Sequence, residues 1–527
     1  MNNRVPEQIA AIDVGTNSFH LVVASVNSRG MLLVHQREKE NVRLGSSTIK
    51  DMKHLQPDAM ERGVNTLMHF SKIARSLNAK IIAVATSAVR EAENKTDFIE
   101  RVKETTGVNI SVISGVEEGR LIYEGVIHAL PVFSKETLVI DIGGGSTETI
   151  IGNGGEVKFI HSTKIGAIRI SNNFFPDYET TSERIRACRE YIKGLWTPIL
   201  SRISEDGFDV AVGTSGTIVS LVAISMAMNG KKIPDVMNGC SATRHDLLRA
   251  ISKILHTKTV AERMKIPGMD AARADIILGG SIILETALRY LNIDQVIISG
   301  YALREGVVFD YMNKGQSGNQ NYALVNLRYE TILNLCARYK VEMPHAEHVR
   351  DISLQLFDGL QSLHGLTSED RELLAAAAML HDVGYFISHD QHHKHSYYVI
   401  SQSVMPGFDN LETQIIALIT RYHRKGMPKE KHLEYVELQE DKRYGVCLMA
   451  GILRIAEGMD RRQIQLIAQV KTEITDEKVT LQLIRQPEKA NILPDIELWG
   501  AARRTDLLSA TLHKKIEIRL GTPDVSQ

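Results

Sequence analysis

Residues 137–152 read TLVIDIGGGSTETIIG. An apolar run ends at Asp141, three consecutive glycines follow (Gly143, Gly144 and Gly145), and after Ser146 and Thr147 a second strand-like segment begins. This pattern predicts a strand, a tight glycine turn and a returning strand. Residues 9–24, IAAIDVGTNSFHLVVA, repeat the layout: an apolar run ending at Asp13, Gly15 at the turn, Asn17 and Ser18 beside it, and a return run from Phe19 to Ala24. The two aspartates stand 128 positions apart. Two such hairpins at that distance predict two related halves facing each other across a cleft. Between them, residues 79–86 (AKIIAVAT) and 108–113 (VNISVI) read as strands and 94–105 as a helix, which is α/β construction.

The chemistry follows from the residue types. Glycines let backbone N–H groups approach a phosphate with no Cβ in the way. A carboxylate at a strand end repels phosphate but can hold Mg²⁺, which phosphate oxygens then share. Asp13 and Asp141 are therefore expected metal ligands, with Glu148 as a further acid for metal or water. Gly143, Gly144, Gly145, Ser146, Thr147, Asn17 and Ser18 are the expected phosphate binders, with ordinary turn roles as the alternative for the polar ones.

Four more segments narrow the class: ATSAVREAEN (85–94), ISGVEEGRLIYEGV (113–126), VGTSGT (212–217) and ISGYALREGV (298–307). Together with DVGTNSFH and DIGGGSTE, they make the chain resemble the exopolyphosphatase / guanosine pentaphosphatase family. That family lies within the actin, sugar-kinase and chaperone-ATPase superfamily. The resemblance runs in order from residue 9 to about residue 460. It implies a duplicated, actin-like (ribonuclease H-like) two-lobed α/β fold, with lobes at 1–128 and 129–312. It also implies a homodimer and Mg²⁺-dependent release of terminal phosphate from inorganic polyphosphate. The alternative substrate is guanosine pentaphosphate (pppGpp). A regulator that binds polyphosphate or the alarmones pppGpp and ppGpp without turnover is the non-enzyme alternative. No Walker A sequence is present. Where nucleotide users of the superfamily carry an adenosine loop, Arg304 and Glu305 are poor partners for a base, which argues against a kinase.

Ser114 followed by Glu117 reads as a capping box, a structural role for Glu117. Glu118 is not needed for the cap and sits in the first helical turn, where the helix dipole favours an ionised carboxylate. The resemblance makes Glu118 the base that activates water. Arg90 is expected to clamp the terminal phosphate, with pairing to Glu91 or Glu93 as the ordinary alternative.

Past residue 310 the pattern changes. NKGQSGNQN (313–321) reads as a linker, and helical periodicity follows through 322–462, with Ile352, Leu356, Leu360 and Leu363 recurring at three or four positions. His348, His381, Asp382 and Asp460 stand in the order of the metal-dependent HD phosphohydrolases. That resemblance implies an all-α HD-like domain with a second divalent site for Mn²⁺, Fe²⁺, Co²⁺ or Zn²⁺, with His395 and His423 as candidates for a further ion. The alternative is a polyanion path. RYHRKGMPKEKH (421–432) carries five basic residues and one acid, with Arg421, Arg424 and Lys425 as the expected contacts. Residues 463–527 alternate like strands around one helix and predict a small α+β tail.

Whole-chain arithmetic is consistent with this reading. The chain has 527 residues, 43% apolar, with 62 basic and 63 acidic side chains, so disorder and a general nucleic-acid binder are both excluded. Four widely spaced cysteines fit neither a zinc ribbon nor a disulfide framework and suit a reducing compartment. No apolar run reaches membrane-spanning length, so a cytoplasmic protein without a membrane partner is expected.

Overall fold

The computed structural model describes residues 7–27, 29–45, 53–313, 327–403, 405–424, 426–489 and 491–521. The chain divides into two compact units, Met1–Leu327 and Arg328–Gln527. The predicted linker lies, beyond Asn313, outside the described residues.

The first unit holds two sheets of matching design. One is built from β1 (Ile9–Val14), β2 (Phe19–Val26), β3 (Leu32–Glu40), β4 (Lys80–Ala85) and β5 (Ile110–Val112), in the order β3-β2-β1-β4-β5. The other is built from β6 (Thr137–Ile142), β7 (Thr147–Asn153), β8 (Glu156–Thr163), β9 (Val210–Thr214), β10 (Ser241–Thr243) and β11 (Gln295–Ile298), in the order β10-β11-β9-β6-β7-β8. In each, an antiparallel three-strand meander continues into parallel strands. β6 is buried at every position and β1 at all but Asp13. Burial on both faces is why both read as apolar runs and not as alternation. The expected duplicated, actin-like two-lobed fold is present. Asp13 lies opposite His20 on β2 and Val84 on β4, while Asp141 lies opposite Glu148 on β7 and Thr214 on β9. The two aspartates thus hold the same place in the two halves.

The lobes are interleaved, so the expected consecutive division at 128 and 312 is crossed twice. The Gly115–Ala129 helix follows the first sheet but packs on β7 and β8 of the second. The Leu303–Asn313 helix follows the second sheet but packs on β1 and β2 of the first, and these two helices pack on each other. Their crossing needs bare backbone. A Cβ on Gly306 would run into the Leu121 carbonyl, and one on Gly125 into that of Ala302.

In the second unit, helices at Met343–Gly359, Ser368–Leu380, Asn410–Tyr422 and Glu440–Met459 surround one core. A three-stranded sheet of β12 (Ile467–Ile474), β13 (Lys478–Arg485) and β14 (Lys515–Leu520) shares that core through Val470, Val479, Leu481, Leu483 and Ile516. The expected segments 322–462 and 463–527 are therefore one body. The single helix expected between the tail strands is two, Asp495–Ala502 and Asp506–Leu512. Buried Arg454 ties helix to tail: its guanidinium donates to the Tyr422 carbonyl at 2.6 Å and to Asp506 at 2.9 Å.

Gly306→Val should force the helix crossing apart and destabilise the first unit by about 3 kcal/mol. Gly194→Ala, in the Ser182–Asp206 helix with no neighbour within 4 Å of the added carbon, should instead stabilise it by about 0.5–1 kcal/mol. Urea unfolding of both variants checks the pair. Equal effects would remove the crossing from the account.

Candidate active site between the two lobes

The glycine turn is oriented from behind. The Gly143 carbonyl accepts from Ala167 N, the Gly144 carbonyl from Ile168 N, and the Gly145 carbonyl from Arg169 Nε at 2.8 Å. In a trans peptide the next N–H points opposite to the carbonyl. The amides of Gly144, Gly145 and Ser146 therefore face the other way, as an anion nest requires. Gly143 N is spent on closing the turn to Ser146 O at 3.0 Å. The two turns face each other. A Cβ on Gly144 would lie 2.9 Å from Thr16 Cβ, and one on Gly145 would strike Ser87. Bulk at either glycine would fill the gap.

Four carboxylates converge around these turns. Asp141 accepts from the hydroxyls of Thr214 and Ser215, the latter at 2.7 Å. Ser215 holds φ +65°, a left-handed conformation costly for a residue other than glycine. Glu148 takes a hydrogen bond from Ser162 at 2.7 Å, while its Oε2 and Asp13 Oδ1 are buried with no hydrogen-bond partner among the described residues. Glu118 Oε2 pairs with Arg90 Nη1 at 2.9 Å, and Arg90 Nη1 also reaches the Ile113 carbonyl at 3.1 Å. Arg90 thus pairs with Glu118 and not with Glu91 or Glu93. Ser114 caps the helix by accepting from Glu117 N at 3.1 Å, which is the first half of the expected capping box, and the Glu117 carboxylate holds Arg120.

Burial dominates the electrostatics. It raises Asp13 to about 7 against the pull of Arg304, with Asp141 and Glu305 adding to the rise. It raises Glu148 to about 7, helped by the charge of Asp141. Asp141 rises from burial despite its hydroxyl partners. Glu118 is pushed well above the usual carboxylate range by burial, then by Glu148, with Arg90 opposing and Asp13 adding. Orphaned buried oxygens and mutually repelling acids fit a divalent cation. The tight donor groups among the described residues lie in the second unit, so the carboxylates here are set wider. Mg²⁺ suits that spacing, because it keeps several waters and binds through few protein oxygens.

Some expected phosphate contacts are committed elsewhere. The Thr147 hydroxyl donates to the Ile165 carbonyl and is fully buried. Asn17 Nδ2 donates to Ser18 Oγ at 3.1 Å, and Ser18 donates to Asn41 at 3.0 Å. These residues shape the turns, while Ser146 keeps its backbone amide toward the gap. Sequence reasoning missed a set of cations. Burial and then Arg304, Lys39 and Arg273 hold His20 far below its ordinary range, so these three positive side chains crowd one imidazole close to Asp13. Glu91, read simply as a pairing option, accepts from Arg169 at 2.8 Å and Lys164 at 3.1 Å across the lobes.

The second unit carries a separate cluster, and its membership differs from expectation. His345, His381 and Asp382 converge, as do Asp382, His392 and His423. His348 stands outside these groups with a buried, unpartnered Nε2, and His395 also stays out. Asp460 bonds His345 Nδ1 at 2.8 Å and so supports a ring instead of facing the centre. Burial would lower His381, but the charge of Asp382 and its hydrogen bond outweigh it and raise the imidazole to about 9. Of the expected polyanion path, Arg421 stacks over Tyr397 at 4.8 Å and Arg424 Nη1 lies 3.0 Å from His392 Nδ1, while Lys425 lies outside the described residues.

Comparison with known proteins gives a consistent assignment. A model of the Ppx/GppA phosphatase family matches residues 22–315, and one of Ppx/GppA phosphatase, domain III, matches 327–500. A guanosine-5'-triphosphate,3'-diphosphate pyrophosphatase of Vibrio vulnificus is 30% identical over 502 residues, 94% of this chain and 96% of the relative. Its namesake in Photobacterium profundum is 29% identical over 509 residues, 96% and 97% of the two chains. Among solved structures, an exopolyphosphatase from Cytophaga hutchinsonii is 28% identical with a TM-score of 0.55, covering 59% of this chain and 100% of that one. An Aquifex aeolicus member of the Ppx/GppA protein family is 28% identical with a TM-score of 0.50, covering 59% and 99%. No helix among the described residues is long and apolar enough to cross a membrane.

The raised carboxyls set a pH dependence. Asp13 and Glu148 keep protons up to about pH 7 when folded, whereas the unfolded chain releases them above about pH 4. The folded state binds more protons in that window, so stability falls as pH rises through it. In chelator the melting temperature should drop from pH 5 to pH 8. Mg²⁺ should raise it more at pH 8 than at pH 5, and Asp13→Asn with Glu148→Gln should flatten both effects. Calorimetry checks this; an Mg²⁺ increment equal at both pH values would count against a cation among these acids.

Proposed function

This chain belongs to the Ppx/GppA phosphatase family, hydrolases acting on phosphoric anhydrides, and we propose that it removes the 5'-terminal phosphate of guanosine 5'-triphosphate,3'-diphosphate. The observation that carries the chemistry is the pairing of an amide-lined turn with buried acids in one gap. The substrate choice rests on the relatives of that name, matched over nearly the whole of both chains. Read alone, the sequence put inorganic polyphosphate first and guanosine pentaphosphate second; the full-length relatives support the reverse order. Exopolyphosphatase activity is the second reading, favoured by the Cytophaga structure of that name. Both reactions cleave a terminal phosphoanhydride, so one site serves either.

In this reading the Gly144, Gly145 and Ser146 amides hold the terminal phosphoryl group. Asp13, Asp141 and Glu148 would hold Mg²⁺, which when bound neutralises phosphate charge. Glu118 takes the proton of the attacking water as the new O–P bond forms; the anhydride P–O bond breaks and its bridging oxygen leaves with the nucleotide. Burial and the neighbouring acids raise the proton affinity of Glu118, which makes it a stronger base once it is ionised. Arg90 fixes the Glu118 carboxylate and supplies positive charge beside the reacting group. The cations Lys39, Arg273 and Arg304 around His20 suit the additional phosphates of a highly charged nucleotide.

The test is phosphate release from guanosine 5'-triphosphate,3'-diphosphate and from long-chain polyphosphate, alone and in competition, with Mg²⁺. The nucleotide should show the higher kcat/KM. Glu118→Gln should lose a factor of about 10²–10⁴ in kcat with KM little changed. Preference for polyphosphate would restore the second reading, and a Glu118→Gln enzyme of undiminished rate would remove Glu118 as base.

A further inference from the structure

We propose that Glu91 is a positioning residue for this reaction: through Arg169 it aims the Ser146 amide at the phosphoryl group, and as the neighbour of Arg90 it holds that amide in register with Glu118. The role rests on the reading proposed above, with Glu118 as base and the glycine turn as phosphoryl site, and it joins the two.

The joint is a single short helix, Ser87–Glu91, whose Ala88 and Val89 are buried, Val89 within the core of the first lobe. Successive side chains leave a helix about 100° apart, so Arg90 and Glu91 diverge from one anchored backbone. Arg90 Nη1 goes to Glu118 Oε2 at 2.9 Å and to the Ile113 carbonyl at 3.1 Å. Glu91 goes to the opposite lobe. Its Oε1 accepts from Arg169 Nη2 at 2.8 Å, and its Oε2 pairs with Lys164 Nζ at 3.1 Å. The same guanidinium donates through Nε to the Gly145 carbonyl at 2.8 Å. The Ser146 N–H belongs to that peptide group and points opposite its carbonyl, so Arg169 sets the direction of the amide. Ser87 closes the arrangement: its hydroxyl donates to Glu91 Oε1 at 3.0 Å, and a Cβ on Gly145 would strike it.

Burial and charge set this bridge apart from a surface ion pair. The side chains of Glu91 and Arg169 are 14% and 11% exposed. Burial would raise the Glu91 carboxyl, but Arg169, Lys164 and Ser87 outweigh it and hold it below its ordinary range. One edge of a planar guanidinium meets carbonyl and carboxylate together, which an ammonium cannot copy. Lys164 supplies the contrast. It also crosses to Glu91, but its side chain is 71% exposed, and the hold on the Gly145 carbonyl belongs to Arg169.

The experiment measures phosphate release with Mg²⁺ from whichever of guanosine 5'-triphosphate,3'-diphosphate and polyphosphate the wild type turns over faster. Glu91→Gln keeps the shape and removes the charge; Arg169→Lys keeps the charge and removes the fork. Each should lower kcat about 10²-fold with KM changed by less than about threefold. Both act along one path, so the double variant should be no slower than the slower single variant. Lys164→Met, which removes a bridge between the lobes but no hold on the turn, should stay within about twofold of wild-type kcat. Circular dichroism checks that each variant is folded, and Glu91→Gln against Lys164→Met carries the test if Arg169→Lys is not. A normal kcat in Glu91→Gln, losses that multiply in the double variant, or a loss in Lys164→Met equal to that in Glu91→Gln overturns the proposal. Glu118→Gln is assayed in parallel. Full rate there removes the reading on which the role of Glu91 rests, whereas loss there beside a normal Glu91→Gln removes that role alone.

Discussion

Like charge enclosed in one gap is the constraint around which the first unit is arranged. Asp13, Asp141, Glu148 and Glu118 are all withdrawn from water; Asp141 raises the proton affinity of Asp13 and Glu148, and Glu148 and Asp13 raise that of Glu118. A fold selected for stability alone would not gather them, since apolar replacements cost less. Their placement follows from duplication: equivalent strands end in equivalent aspartates, and the two sheets turn those ends toward each other. That mutual repulsion is what a cation bound among them would relieve.

Backbone supplies the other half of the site. The carbonyls of Gly143, Gly144 and Gly145 are bound by the start of the Ala167–Phe174 helix and by Arg169, so the amides beyond them are aimed before any ligand arrives. Arg169 also reaches Glu91 of the opposite lobe. One side chain therefore links the orientation of the turn to the closure of the gap. Preorganised donors of this sort need no rearrangement as charge develops. The exchange of the Gly115–Ala129 and Leu303–Asn313 helices between the lobes serves the same end, because it carries Glu118 and Arg304 to the gap from elements that follow different sheets.

What could be seen in the sequence was local. A strand, a glycine turn and a returning strand are written in consecutive residues, so Asp13, Asp141 and Glu148 could be picked out, and the family resemblance singled out Glu118 beside a Glu117 read as part of the cap. What escaped is set by packing between distant segments. His20 and Lys39 pair across the β2–β3 hairpin, but Arg273 and Arg304 come from distant segments that no local spacing brings to them. His345 and His348 lie one helical turn apart on one helix, so periodicity cannot choose between them. The end of the Ser368–Leu380 helix chooses, by placing Asp382 against His345. Thr147 illustrates the opposite error: a hydroxyl of the right kind in the right turn, drawn instead to the Ile165 carbonyl by strand geometry.

The two clusters differ in donor atoms, and that difference separates their chemistry. The first unit offers carboxylate oxygens at wide spacing, which a small hard ion satisfies while keeping its water and gaining phosphate oxygens. The second offers imidazole nitrogens around one carboxylate, with Nδ1 of His345, His381 and His423 each against an oxygen. Softer ions prefer the nitrogens, and at such a site follow an affinity order in which Mg²⁺ does not compete. An oxygen cluster and a nitrogen cluster on one chain would therefore draw different ions. The selection is made by side-chain type alone, and it holds however the two units are arranged.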